Sequence, residues 1–204
     1  MILTTITNQP FAPKGSGVPR SSAWDTGKIH LTDVIRYIQN KLKLDKYRAI
    51  DWDLALAGEL GFLWEDVMSY IFGQRMAVRI GEVERDGIVG SPDGIAVDGN
   101  GVLVDEEYKV TWRSSNRDLT TFWYWITQFK SYCTMLDTKS TIIRVFWVNG
   151  DYRGSGPQYG SYRADFDDTE LRQNWDMIVS HSKEMVDLGF MDYQRYQKSL
   201  QGGN

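Results

Sequence analysis

The chain has 204 residues, of which 42% are hydrophobic and 25% are charged, and its formal net charge is -4. A chain of this length and composition forms one globular domain and buries roughly 70% of its unfolded surface without a structural metal. Its single cysteine excludes an intramolecular disulfide and a four-cysteine cluster. The negative charge argues against bulk coating of nucleic acid but allows an enzyme with a local basic groove.

The two ends of the sequence lack a periodic apolar pattern. Prolines and glycines within residues 1–24 predict an extended N-terminal arm, and the polar residues 194–204 predict a mobile tail. Neither a basic leader nor a run of 18 apolar residues occurs. We therefore expect a single domain over 1–204 that is neither exported nor membrane-bound.

Two helices are predicted in the first third of the chain. The first begins at Leu31, with Val34, Ile35 and Ile38 on one side and an excess of lysine and arginine elsewhere between residues 28 and 48. That basic side either faces phosphate or is an ordinary solvated helix face, and the second reading is favoured. A second helix is predicted over about 52–72, with Glu65 at the border of its apolar stripe.

Residues 76–112 consist of short apolar runs separated by glycine-rich turns, a pattern typical of strands. Three adjacent antiparallel strands are predicted here. A third helix is expected over about 119–136, which makes Cys133 a core residue rather than a nucleophile. Strands are then predicted over 141–148 and 159–166. A final helix is predicted over about 169–188.

The residues that suggest chemistry lie in the predicted strand region. Because side chains alternate along a strand, Asp105, Glu107 and Lys109 share one face, and we expect one reactive face and one packed face. A two-residue loop in the preceding hairpin places Asp93 opposite Glu106, whereas a three-residue loop of residues 99–101 places it opposite Glu107. The glycine at position 101 favours the three-residue loop, and the alternative that gives the same pairing is a compensating bulge near Pro92.

Two neighbouring carboxylates, from Asp93 and Glu107, repel each other unless a hard divalent cation lies between them, and oxygen ligands suit Mg²⁺ or Mn²⁺. With such a cation bound, Lys109 is placed to hold an attacking water during phosphodiester hydrolysis. A solvated hairpin is the plainer reading of the acid-x-Lys tripeptide alone.

Four motifs in order strengthen the chemical reading: Gly61 to Glu65 as GxxxE, Pro92-Asp93, Glu107-Tyr108-Lys109, and Gln128 to Tyr132 as QxxxY. Together they resemble the PD-(D/E)XK nuclease superfamily, in its lambda-exonuclease, YqaJ and RecB-type branch, over residues 52–136. The resemblance implies a restriction-endonuclease-like α-β-β-β-α-β core, in which a central mixed sheet is flanked by helices. It also implies a catalytic Lys109 and metal ligands at Glu65, Asp93, Glu107 and the Tyr108 carbonyl.

Two groups of relatives with these motifs are excluded. Those that act in CRISPR adaptation carry a four-cysteine iron–sulfur cluster, and those fused to helicases carry a motor domain. This sequence has neither the four cysteines nor a motor motif. The remaining likeness is to stand-alone viral exonucleases. It implies a Mg²⁺- or Mn²⁺-dependent enzyme that degrades duplex DNA ends in viral or phage recombination or in DNA processing. We expect it in the cytoplasm of a bacterium or an infected host cell. A single-strand annealing protein and a ring-shaped homo-oligomer are the implied partners. An endonuclease and a non-catalytic DNA-binding module are the alternatives.

Further candidates lie around this motif set. Similar enzymes use an arginine near the N-terminus for the terminal phosphate, and Arg20 is the candidate here. Arg113 and Ser114 directly follow the catalytic strand and are placed to reach a phosphate, or are an ordinary strand end. Gln128 and Tyr132 are read either as contacts to a carboxylate or phosphate or as structural residues. Aromatic residues near the site are read as base-stacking surfaces or, more simply, as core: Trp112, Trp123, Tyr124 and Trp125.

Overall fold

The computed structural model describes residues 1–6, 28–44, 63, 77–78, 81–154 and 156–190. Three α-helices are present in this part of the chain: α1 (Leu31–Lys41), α2 (Trp123–Met135) and α3 (Asp168–Asp187). A 3₁₀ turn at Leu119–Thr121 precedes α2. The strands are β1 (Ile2–Ile6), β2 (Ile29–His30), β3 (Ala77–Val78), β4 (Val83–Arg85), β5 (Ile88–Gly90), β6 (Gly94–Val97), β7 (Leu103–Thr111), β8 (Ser140–Trp147) and β9 (Gln158–Asp165).

Six strands form the central sheet, in the order β1-β9-β8-β7-β6-β3. Strands β7 and β8 are parallel and are connected through α2, whereas the other neighbours in this sheet are antiparallel. The sheet is therefore mixed and is flanked by helices, which confirms the predicted fold class. The order β3-β6-β7-α2-β8 follows the expected β-β-β-α-β part of the core. Of the helix predicted over 52–72 only Leu63 is among the described residues, and it is helical.

The three described helices bury one side each. Leu31, Val34, Ile35 and Ile38 of α1 are fully buried, as the apolar pattern predicted. Strand residues Ile143 and Val145 pack in one cluster with Phe129 and Cys133 of α2. The Cys133 side chain is fully buried, so its assignment to the core is confirmed. Helix α2 therefore covers the sheet face that carries the odd-numbered residues of β7 and β8.

The prediction of three strands between residues 76 and 112 is only partly right. Strands β3, β6 and β7 are adjacent and antiparallel, but β4 and β5 form a hairpin in a second sheet with the order β2-β5-β4. That hairpin turns at Asp86 and Gly87, which both have positive φ (53° and 76°). The Ser91–Pro92 segment then lets the chain change sheets, because proline cannot donate to a ladder.

The first residues of the predicted N-terminal arm form a strand of the central sheet, which the sequence did not predict. Residues Ile2–Ile6 form β1, an edge strand that pairs antiparallel with β9. The rest of the predicted arm and the predicted tail lie outside the described residues. Among the helices that are described, none is sufficiently long and apolar to cross a membrane.

Candidate active site

The hairpin between β6 and β7 sets the register of the site. Gly94 pairs with Glu106, and the Asp98 N–H donates to the Val102 carbonyl at 2.9 Å across a loop of residues 99–101. Gly101 has a φ of 79°, a conformation that glycine adopts without steric cost. The three-residue loop is therefore confirmed. One step beyond the ladder, this register places Asp93 opposite Glu107.

Two hydrogen bonds connect Asp93 to β7. The backbone N–H of Asp93 donates to Glu107 Oε1 at 3.1 Å, and the backbone N–H of Tyr108 donates to Asp93 Oδ2 at 2.9 Å. Continuing the register places Pro92 opposite Tyr108, and Pro92 has no N–H to donate. The Asp93 side chain thus accepts the hydrogen bond from the Tyr108 N–H that a backbone carbonyl would accept in a regular ladder. The carboxylates of Asp93 and Glu107 are therefore both fixed at the amino end of β6.

Lys109 completes the cluster on the same face. Its Nζ lies 2.5 Å from Glu107 Oε2. The exposed fraction of the side chain is 13% for Lys109 and 1% for Glu107, so the pair is shielded from bulk water. Burial raises the pKa of Glu107 to about 8, although the positive charge of Lys109 opposes this shift. A positive charge close to Glu107 therefore stabilises its ionised form.

Gln128 and Tyr132 lie behind this cluster, one turn apart on α2. Gln128 Nε2 donates to the Tyr132 hydroxyl at 3.2 Å, and that hydroxyl donates to the Ser91 carbonyl at 3.2 Å. Burial raises the pKa of Tyr132, and the negative charge of Glu107 adds to this effect. These two hydrogen bonds thus hold the segment that leads into Asp93.

The oxygen atoms in this cluster match the ligand preference of Mg²⁺. In an antiparallel ladder the N–H and C=O of a residue point to the same neighbour, so the Tyr108 carbonyl points towards the Asp93 side. Among the described residues no group of three or more acidic, histidine or cysteine side chains forms a metal site. Two carboxylates are sufficient for Mg²⁺, which keeps several waters and also binds substrate phosphates. Glu65, the further ligand implied by the resemblance, lies outside the described residues.

Both faces of β7 are packed, because residues 104–108 are all buried. On the face of Glu107, Asp105 accepts a hydrogen bond from Thr141 Oγ1 at 2.9 Å. Burial raises the pKa of Asp105 well above its usual range, and the charge of Glu107 raises it further. On the opposite face, Glu106 forms a fully buried ion pair with Arg144. An arginine inside the apolar run 141–148 was the sequence signal for this pair.

The candidate phosphate-binding residues lie beyond Lys109, at the carboxyl end of β7. The guanidinium of Arg113 lies 5.2 Å from the centre of the Phe122 ring. Ser114 Oγ accepts a hydrogen bond from the Asn116 N–H at 3.2 Å and forms a tight turn. Arg20 lies outside the described residues. Trp112 lies one position from Arg113, and its carbonyl accepts a hydrogen bond from Asn149.

Two lysines of the basic segment between residues 28 and 48 form ion pairs with glutamates. Lys41 pairs with Glu184 at 2.5 Å, and Lys28 pairs with Glu84. Arg36 is exposed. These contacts favour the solvated-face reading for Lys28 and Lys41.

No protein-family model and no curated protein matches this sequence. Solved structures match in fold. An alkaline exonuclease (LHK-Exo) from Laribacter hongkongensis has a TM-score of 0.51 at 15% identity, covering 88% of this chain and 97% of that chain. Its complex with dAMP has a TM-score of 0.51 at 14% identity over the same shares. A phage-related exonuclease from Haemophilus somnus 129PT has a TM-score of 0.46 at 15% identity, covering 88% and 95%. The likeness to LHK-Exo agrees with the mixed sheet flanked by helices.

Proposed function

We propose that this protein is a metal-dependent DNA exonuclease that hydrolyses phosphodiester bonds from duplex ends. One observation carries the proposal: Asp93, Glu107 and Lys109 meet on one face of the sheet in a shielded cluster with two backbone-anchored carboxylates. This is the arrangement that the resemblance to PD-(D/E)XK nucleases implies. The name of the fold neighbour LHK-Exo supports an exonuclease over other nucleases.

Asp93, Glu107 and the Tyr108 carbonyl would hold Mg²⁺ or Mn²⁺, which would supply positive charge for the phosphate and lower the pKa of a bound water. Lys109 holds the attacking water by hydrogen bonding and contributes a positive charge beside the phosphate. Phe129 packs against the Lys109 ammonium, with 5.5 Å between Nζ and the ring centre, and so limits its motion. Tyr132 and Gln128 keep the Ser91–Asp93 segment in place.

The biological setting follows from the same proposal. Duplex DNA ends are the expected substrate, and phage recombination with a single-strand annealing partner is the expected context. A ring-shaped homo-oligomer is the assembly expected for an enzyme that stays on one end. The fold neighbour LHK-Exo in complex with dAMP supports a nucleotide ligand.

The test compares Mg²⁺-dependent degradation of end-labelled linear duplex and covalently closed circular DNA. We expect digestion of the linear form alone, and we expect Lys109→Ala to abolish it. Lys139→Ala is the matched control, because Lys139 is an exposed lysine at the amino end of β8 that pairs with Asp168. Nicking of circles would indicate an endonuclease. Binding without cleavage by the unaltered protein would indicate a DNA-binding module.

A further inference from the structure

Asp98 organises the loop of the β6–β7 hairpin, at the end remote from the proposed active site. It precedes the loop residues 99–101. Its Oδ1 accepts hydrogen bonds from the backbone N–H groups of Asn100 and Val102, at 2.9 and 3.0 Å. An aspartate that accepts both bonds favours the three-residue loop, because a shorter loop moves the second N–H to a different position.

Arg163 connects Asp98 to a distant strand. Its Nη1 donates to Asp98 Oδ2 at 2.8 Å, although β8 and β7 lie between β9 and β6 in the sheet. Its other nitrogens also donate: Nε to Asp165 Oδ1 at 2.8 Å, and Nη2 to Ser140 Oγ at 2.9 Å. The exposed fraction of the side chain is 26% for Arg163 and 7% for Asp98, so their contact is partly shielded from water. The guanidinium is thus fixed, and it fixes the hairpin loop.

Burial of apolar side chains does not explain the register of β6. Along this strand Gly94 and Ala96 are buried, whereas the larger Ile95 is half-buried and Val97 is 56% exposed. A slip by one residue turns every side chain of a strand to the other face. Such a slip would place Ile95 and Val97 on the face that is now buried. Apolar burial therefore favours the slipped register, and the observed register depends on other contacts.

The active-site end of the hairpin does not explain the register either. The observed register brings the carboxylates of Asp93 and Glu107 together, and neighbouring carboxylates repel each other unless a cation lies between them. The hydrogen bonds between Asp93 and β7 oppose this repulsion. In the slipped register Asp93 would lie opposite Glu106 instead. At the loop end, by contrast, Asp98 and Arg163 attract each other as opposite charges.

We propose that Asp98 and Arg163 are positioning residues, which determine the hairpin register that sets Asp93 opposite Glu107. They act along β6 over about 17 Å, the length of five strand residues. Their effect on catalysis rests on the proposed function, whereas their effect on the register holds whatever reaction the protein performs.

Disulfide trapping measures the register directly. Val97 pairs with Leu103 next to the hydrogen-bonded residues Asp98 and Val102, which makes the Val97–Leu103 pair a non-hydrogen-bonded one. The Cα atoms of such a pair lie about 4.5 Å apart, a distance that a disulfide can span. In the slipped register Val97 pairs with Val102 instead.

Two cysteine pairs therefore report the two registers: Val97→Cys/Leu103→Cys and Val97→Cys/Val102→Cys. The three replaced side chains are 56%, 37% and 52% exposed, in the order Val97, Leu103 and Val102, so cysteine is tolerated there. The native Cys133 is fully buried and does not compete for the oxidant. In the otherwise unaltered protein, oxidised glutathione is expected to close the 97/103 pair rapidly and the 97/102 pair slowly.

Arg163→Met is expected to lower the ratio of these two oxidation rates roughly tenfold, because it removes a charged hydrogen bond. Asp98→Asn is expected to act in the same direction, since it keeps an oxygen for the loop and removes the charge that Arg163 binds. The matched control is Lys41→Met, which removes an ion pair with Glu184 away from the hairpin. It is expected to leave the ratio unchanged. Circular dichroism establishes that each variant is folded at the assay temperature.

Cleavage of linear duplex DNA relates the register to catalysis. Arg163→Met is expected to lower the maximal rate roughly tenfold without a change in KM for DNA, because a small displacement of Asp93 is sufficient. The 97/103 disulfide fixes the register without Arg163. Its formation is therefore expected to restore the rate, and its reduction with dithiothreitol to remove the gain.

An unchanged ratio of oxidation rates in both Arg163→Met and Asp98→Asn would overturn the proposal, and so would a rate that the 97/103 disulfide does not restore. Should Arg163→Met fail to fold, Asp98→Asn decides. A changed ratio in a protein that cleaves no DNA supports the role in register and refutes the nuclease. Cleavage with an unchanged ratio refutes the positioning residues and leaves the exonuclease proposal standing.

Discussion

Replacement of Arg144 by methionine is expected to destabilise the protein strongly. Arg144 and Glu106 form an ion pair on the sheet face opposite the proposed active site, with exposed side-chain fractions of 1% and 0%. Burial raises the pKa of Glu106, and the positive charge of Arg144 partly offsets this shift. Arg144→Met removes that charge and leaves a buried carboxylate without its cation.

Loss of one partner from a buried ion pair costs about 3–5 kcal/mol. The total free energy of unfolding of a domain is of the order of 5–15 kcal/mol, so this loss is a large share. The double variant Glu106→Leu/Arg144→Met removes both charges and is expected to recover most of it. The penalty of Arg144→Met is also expected to shrink as the pH falls, because a protonated Glu106 needs no cation.

Urea denaturation followed by tryptophan fluorescence measures these differences. The Glu106→Leu, Arg144→Met and double variants form a double-mutant cycle with the unaltered protein. A loss below about 1 kcal/mol for Arg144→Met, or additive effects of the two substitutions, would refute the idea that this pair acts as a unit.

Three further predictions concern the surroundings of the site. Gly90→Ala places a methyl group 2.8 Å from Tyr132 Cε1, and calorimetry is expected to show a loss of about 1–3 kcal/mol; an unchanged Tm would contradict this contact. Tyr132→Phe removes the hydroxyl that holds the Ser91 carbonyl, and a roughly tenfold or larger loss of cleavage rate with unchanged DNA affinity is expected; equal rates would refute the positioning role. The hydrogen bond from Arg163 holds the pKa of Asp98 below its ordinary value of 3.8. Asp98 therefore contributes stability above that value that is lost at lower pH, and Asp98→Asn is expected to flatten the acid limb of an unfolding titration.

Periodicity was sufficient to predict the long elements. Helix α1 begins at the predicted Leu31, and β8 and β9 begin within one residue of the predicted positions. The partition of residues 76–112 between two sheets was not predictable, because β2 to β5 are only two or three residues long and carry too few side chains for a pattern. Their placement depends on tertiary pairing and on the break at Pro92.

The site itself was predictable where loop length determined geometry. The parity of the hairpin loop placed Asp93 opposite Glu107, and the described ladder has that register. The buried partner of Glu106 was missed, because the pairing of Glu106 with Arg144 depends on which strand lies beside β7. Arg113 was predicted as a candidate, but its contact with the Phe122 ring and that of Arg117 were missed, since cation–ring contacts leave no spacing signal.

The most direct measurement is the initial rate of nucleotide release from linear duplex DNA as a function of Mg²⁺ concentration. The unaltered protein is expected to show a saturable dependence on Mg²⁺ and no activity in a chelator. Asp93→Asn is expected to lose at least roughly a hundredfold in rate, and Asp187→Asn, an exposed acid at the end of α3, to lose none. Undiminished release in a chelator, or by Asp93→Asn, would contradict a metal-dependent centre at Asp93 and Glu107.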